Sequence, residues 1–238
     1  MRRRAVLPVL LALPTAALLT ACVSSPSQFA KTDIDRIAEM YRREIDAGLQ
    51  RLAEKLYRRN PREWKKGGNA SLDAALARLA DPAREGLSPE PTALMADGRR
   101  GAAILLAGLR DDYPQDRVAA FVGGLRNMVY DAFDGKTEFF AFDDLDAQKL
   151  YNCARNVEIA AWKLANARRS QPEDDIPAGA PLLFSNEMTP LQNLSFEREF
   201  GRLIGNLDML SRIAADKNQR TVVKVVQNLA TAIFLPLK

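Results

Sequence analysis

Apolar residues recur along most of this chain at steps of three and four, and that spacing predicts helices. Thr32-Asp33-Ile34-Asp35 opens the first of them, with an acid three residues after Thr32 in the pattern of a capping box. Ile34, Ile37, Tyr41, Ile45, Leu49, Leu52 and Leu56 then form one stripe as far as about Arg59, where Asn60-Pro61 interrupts it. Residues 61–98 are broken by Gly67, Gly68, Pro82, Gly86, Pro89, Pro91 and Gly98, which leaves one short helix over about 71–80.

A denser block follows. Residues 101–109 are almost wholly apolar and predict a buried helix within 99–111, and a second helix spans 115–133. Gly101, Gly108, Gly123 and Gly124 fall inside these helices. Each costs about 1 kcal/mol of helix propensity, which a close approach between helix backbones would offset. Stretches 102–110 and 119–126 look alike, but their alignment slips by one residue and gives no solenoid period.

The strongest helix covers 143–169, with Leu150, Cys153, Val157, Ala160, Ala161 and Leu164 on one face. Tyr151, Ile159 and Trp162 add apolar surface elsewhere, as expected of a central helix. Residues 170–193 form a long loop carrying Pro172, Pro177, Pro181 and Pro190. Residues 195–215 are helical again, with Phe196, Phe200, Leu203, Leu207, Leu210 and Ala214 in register. The last segment is ambiguous. Thr221 to Val226 is β-branched and open to a strand reading. Leu229, Ala230 and Ile233 sit at helical steps and favour a helix, and only residues 138–142 compete as a strand. The expected fold class is all-α: one irregular bundle of about six longer helices over residues 32–238.

The front of the chain has a different pattern. Arg2, Arg3 and Arg4 precede an uncharged run over residues 5–18 that contains Pro8 and Pro14. Small residues follow, ending in Leu19-Thr20-Ala21-Cys22. The run is short for a membrane span, which needs about 20 residues, and its order is that of an export signal. Leu19-Thr20-Ala21-Cys22 resembles the lipobox of bacterial lipoproteins. The resemblance covers residues 1–22 only. It implies a signal peptide over 1–21, a diacylglyceryl group on the Cys22 sulfur, cleavage before Cys22 and acylation of the new amine. Residues 22–31 would then be the lipidated Cys and a Ser-rich tether. In the Gram-negative members of that class, Asp after the Cys retains the protein at the inner membrane. Val23 here implies the periplasmic leaflet of the outer membrane, or the plasma membrane if the organism lacks an outer one.

Cleavage changes the charge argument. The 238-residue chain carries 34 Lys and Arg against 30 Asp and Glu. Loss of Arg2, Arg3 and Arg4 leaves 31 against 30, so global charge gives no support to nucleic-acid binding. Cys22 is used by the lipid, which leaves Cys153 as a single thiol on a core stripe. Burial as a small hydrophobe is its expected state, with pairing between chains or reactivity as the alternative. The chain has no His, which excludes Ser-His-Asp, Cys-His and His-ligated zinc chemistry. No G-x-S-x-G elbow, P-loop or metal-ligand spacing is present, and no cofactor is implied.

Four places hold candidate chemistry. Asp131, Asp134, Glu138, Asp143, Asp144 and Asp146 interleave with Phe133, Phe139, Phe140 and Phe142. Clustered carboxylates suit Ca²⁺, but the EF-hand register fails around Gly135, and helix capping explains the later acids. Asn152, Arg155, Asn156 and Glu158 form a polar patch that is either a hydrogen-bond network or solvated face, with Asn206 and Asp208 as partners if it is buried, or a cleft for a polar ligand in which Arg155 clamps a carboxylate or phosphate. Lys55, Arg58, Arg59, Arg62, Lys65 and Lys66 surround Glu63, near Tyr57 and Trp64. That run is either a solvated helix end or a contact for anionic lipid or cell-wall polymer. Glu187, Glu197 and Glu199 flank the long loop and are the acids a glycan hydrolase would draw on.

The expected function is that of a membrane-anchored lipoprotein held through Cys22 and acting as an interaction, scaffold or assembly protein in the bacterial envelope, with a protein partner and no nucleic acid. The alternatives are a carboxylate-dependent hydrolase of envelope glycan, or a binding module for a small anionic ligand at Arg155.

Overall fold

The structure is a computed structural model that describes residues 31–80, 98–140, 143–188 and 192–237. Among the described residues it is all-α, with seven helices and no strand. These are α1 (Asp33–Arg59), α2 (Pro61–Lys66), α3 (Leu72–Leu79), α4 (Gly101–Gly108), α5 (Arg117–Ala132), α6 (Ala147–Asn166) and α7 (Ser195–Lys217).

Local chemistry sets the ends of the long helices. Thr32 Oγ1 accepts the Asp35 amide at 3.2 Å, and Asp35 Oδ2 accepts the Thr32 amide at 2.7 Å, so the capping box forms as expected. Asp116 caps α5 through the Ala119 amide at 2.9 Å, and Asp146 caps α6 through the Gln148 amide at 2.8 Å. Both helices therefore begin a few residues later than the apolar pattern alone suggests.

Four helices make the core. α1 packs against α5 and α7, and α6 packs against the same two, which closes a ring. The contacts that join them give the directions. Gln50 meets Arg126 and Tyr57 meets Asp116, so α5 runs opposite to α1. Arg51 meets Glu199 and Asp35 meets Lys217, so α7 also runs opposite to α1. Ser211 bonds the Ala147 carbonyl and Arg155 bonds Asp208, so α6 opposes α7. The result is an up-down-up-down ring in which every neighbour is antiparallel. Its interior is filled by Ile45, Leu49, Leu52, Leu56, Phe121, Leu150, Val157, Phe200, Leu203 and Leu207, with Phe121 and Phe200 edge-to-face at 6.4 Å.

α4 lies antiparallel on α5 at very short range. A Cβ on Gly108 would sit 2.7 Å from that of Ala120, and one on Gly124 would sit 2.6 Å from the Gly101 carbonyl oxygen. The two backbones interlock only because those positions lack side chains. The expected close approach is present at Gly108 and Gly124, while a Cβ on Gly123 would face open space.

The C-terminal segment departs from the expectation. Residues 220–237 are neither helix nor strand but an extended strap that doubles back at a turn around residues 228–231. Its β-branched residues disfavour helix, and among the described residues no strand offers a ladder. Side chains of α6 bond its backbone at Val223, Val225, Leu235 and Pro236 instead. Among the described residues no helix is long and apolar enough to cross a membrane.

Candidate functional site

The polar patch on α6 turns out to be the seat of the strap. The Gln148 amide accepts the Val223 N–H at 2.7 Å and donates to the Val223 carbonyl at 3.1 Å. One turn on, the Tyr151 hydroxyl accepts the Val225 N–H at 3.1 Å and donates to the Val225 carbonyl at 3.3 Å. Asn152 donates to the Pro236 carbonyl at 2.9 Å. Asn156 takes both groups of Leu235, at 2.6 and 2.9 Å. These residues share one face of α6, because steps of three and four bring side chains together. A side-chain amide presents one donor and one acceptor, the pattern a neighbouring strand would present. α6 thus acts as a surrogate strand for both limbs of the strap. The chain's own C-terminal backbone, rather than Asn206, meets Asn152 and Asn156.

Arg155 lies beside this row and points to α7. It bonds Asp208 at 2.7 Å, pairs with Glu158 at 3.2 Å and stacks on the Tyr151 ring at 5.0 Å. Burial raises the Glu158 carboxyl above its ordinary range, and the Arg155 charge works against that shift. The patch is therefore a hydrogen-bonded network, as the first of the two sequence readings has it. Next to it, an open cleft of about 770 Å³ lies between α6, α7 and the base of the strap. Arg155, Arg212, Arg220 and Lys224 line it, against Asp208 and Asp216.

The acidic-aromatic stretch is dispersed among separate jobs. Asp131 pairs with Arg100 at 3.7 Å, Asp134 with Lys149 at 2.6 Å, and Asp143 with Lys136. The Lys136 ammonium holds the Asp143 carboxyl below its ordinary range. Phe133 and Phe139 are core, 5.9 Å apart, whereas Phe142 lies outside the described residues. Among the described residues no three acidic or thiol side chains gather closely enough to hold a metal ion.

The basic run is an exposed helix end, with Arg58, Arg62, Lys65 and Lys66 open to solvent, and the long loop brings acids to part of it. Arg59 pairs with Glu187, Arg62 with Asp174 at 3.2 Å and with Asp175, and Lys66 with Glu173 at 2.8 Å. Lys55 lies over the Phe196 ring at 5.4 Å. Asn60 anchors the loop by exchanging both hydrogen bonds with Phe184, at 2.8 and 2.9 Å. The loop's acids are far away in sequence, so the run looks unpaired when read locally. Of the acids proposed for hydrolysis, Glu187 holds Arg59, Glu197 accepts from Asn186 at 3.0 Å, and Glu199 is buried against Arg51 at 3.2 Å. Each is committed to a different partner.

One polar cluster was not singled out in the sequence. The buried Tyr57 hydroxyl donates to Asp116 Oδ2 at 2.7 Å, and Glu63 accepts the Arg117 backbone N–H at 2.7 Å. The buried Arg117 guanidinium donates to the Gly108 carbonyl at 2.9 Å, to the Asp111 carbonyl at 2.8 Å and to the Arg110 carbonyl. It thereby closes the C-terminus of α4. Burial pushes the Asp116 carboxyl up to about 6. The signal for this cluster was thin: an Asp just before an apolar helix reads as a cap and nothing more.

Cys153 is buried in the core, where burial pushes its thiol up to about 12. It is an inert small hydrophobe, in line with the expected state. Cys22, the expected lipid site, lies outside the described residues. Comparison with known protein families, curated proteins and solved structures found no match for this chain.

Proposed function

We propose that this chain is a bacterial lipoprotein, acylated at Cys22 and held on the periplasmic leaflet of the outer membrane, where it serves as an interaction or assembly protein. The observation that carries the reading is the sequence of the front end: Arg2 to Arg4, then an uncharged run, then Leu19-Thr20-Ala21-Cys22. The described fold opens with Lys31 against Glu39 and the Thr32–Asp35 capping box, and the residues between Cys22 and Lys31 are read as the tether. Each acyl methylene in the bilayer contributes about 0.8 kcal/mol, and two or more chains make attachment stable.

Two features support interaction over hydrolysis. The acids flanking the long loop are each held by a separate partner, and the thiol is buried. α7 meanwhile turns an outward face to solvent, where Gly201, Gly205 and the 45 %-exposed Met209 follow one another at steps of four. Small residues admit close approach of another backbone, and Met packs adaptably. Mass spectrometry of the mature N-terminal peptide should find diacylglyceryl-Cys22. Cys22→Ala should release the protein from membranes or block its processing. A photo-crosslinker at Met209 should give one discrete protein adduct in cells. An unmodified Cys22 in the exported chain refutes the anchor, and a Met209 probe without adduct refutes the interaction face.

A further inference from the structure

The strap carries an unusual surface. Val223, Val226 and Ile233 are 68, 97 and 72 % exposed, and Leu229 at the turn is also exposed. Large apolar side chains scattered singly need no explanation, but here four stand on one short segment. The segment is held in place, because Gln148, Tyr151, Asn152 and Asn156 bond its backbone and Ala232 and Leu237 are buried. In an extended chain the backbone groups of successive residues point to opposite edges. Val223 and Val225 face α6, so the groups of Lys224 and Val226 face outward.

Cations border the same segment. Arg212, Arg220 and Lys224 are exposed along the cleft at the base of the strap, while its fourth cation, Arg155, is taken by Asp208 and Glu158. Exposed aliphatic side chains beside unpaired Arg and Lys are what the surface of an anionic bilayer takes up.

The start of the described chain lies at this end of the molecule. Asp35 pairs with Lys217 at 3.7 Å, and the strap begins three residues beyond Lys217. Lys31 and Cys22 are nine residues apart, a span of at most about 30 Å. A lipid on Cys22 therefore keeps the membrane within reach of the strap.

We propose that the C-terminal strap is a second membrane contact: its aliphatic side chains enter the interface of an anionic bilayer while Arg212, Arg220 and Lys224 meet lipid phosphates. The argument from reach rests on the Cys22 anchor. The contact would fix one face of the bundle toward the membrane and leave the opposite end free.

Hydrogen exchange of the full lipidated chain tests this in nanodiscs of equimolar phosphatidylcholine and phosphatidylglycerol, against phosphatidylcholine alone. The amides of residues 224–234 should exchange more slowly in the anionic discs, and those of α3 should not change. Arg220→Glu with Lys224→Glu should remove most of that slowing, at about five-fold in affinity per cation lost. Val226→Asp with Ile233→Asp should weaken it as well, and both pairs sit on exposed positions that leave the melting temperature unchanged. Unaltered exchange in the anionic discs, with Cys22 shown to be acylated by mass, overturns the contact and leaves the anchor standing. If Cys22 proves bare, the unlipidated chain mixed with vesicles of the same lipids decides the contact by the same amides. Equal slowing by inorganic phosphate alone, or protection only in envelope fragments that retain their proteins, also overturns it.

Discussion

At the residue scale, two adjacent glycines have opposite roles. Gly124 has the Gly101 carbonyl and Leu105 within the reach of a Cβ, whereas Gly123 has open space there. Gly124→Ala should destabilise the protein by about 1–3 kcal/mol, the cost of overpacking. Gly123→Ala should stabilise it by about 0.5–1 kcal/mol through helix propensity. Chemical denaturation of the pair reads both signs. Asp116 gives a pH prediction. Its folded pKa, near 6, is above the ordinary carboxylate value of about 4. The stabilising contribution is therefore complete below about pH 4 and is lost as pH rises through 6. The loss is on the order of 2–3 kcal/mol. Asp116→Asn keeps an acceptor for the Ala119 amide and a donor for the Tyr57 oxygen. It should flatten the stability difference between pH 4 and pH 8, and an unchanged slope would show that Asp116 does not titrate in this range.

At the scale of elements, α6 has two faces with different tasks. Leu150, Cys153, Val157 and Leu164 fill the ring, while Gln148, Tyr151, Asn152 and Asn156 hold the strap. Asn156→Ala removes both bonds to Leu235, and the partly buried backbone groups there lose their partners. The expected cost is about 1–3 kcal/mol, with faster hydrogen exchange over residues 232–237 and none elsewhere. Exchange that stays slow would mean that Ala232 and Leu237 hold the limb by packing alone. Both faces of α6 were visible in the sequence as a stripe and a polar patch. The patch's partner was not, because Leu235 is 79 residues away from Asn156 and its backbone carries no sequence signal. The same holds for the basic run after Lys55. Its acids lie more than a hundred residues later in a proline-rich loop, and pairing at that range depends on how the chain returns.

At the scale of the whole molecule, the antiparallel ring makes Cys153 a reporter of global opening. Its sulfur is inside the ring, and burial holds it as the neutral thiol. A thiol reagent should leave it unmodified in the native protein and label it at the rate of unfolding. Labelling in native buffer without loss of helical signal would place the sulfur outside the core. The ring also sets orientation. The chain enters at the end where α7 gives way to the strap, and the loop over α2 closes the opposite end. With the proposed lipid on Cys22, that polarity would give the bundle one membrane side and one free side.

The sequence by itself determined what depends on residues within a turn of one another. It decided the stripes of α1, α6 and α7 and the Thr32–Asp35 capping box, and it offered four helix glycines among which packing picks out Gly108 and Gly124. Helix periodicity and capping arise from contacts three or four residues apart, so they are written locally. Only the tertiary structure decided the fate of groups that needed distant partners. Thr221 to Val226 had neither a helix's propensity nor a strand to pair with, and the row of side chains on α6 settled it as a strap. Glu63, Asp116 and Tyr57 became a buried cluster because α1, α2 and α5 meet there. A backbone or charge far from its partner carries no local mark of that partner, and burial alone determines whether it must find one.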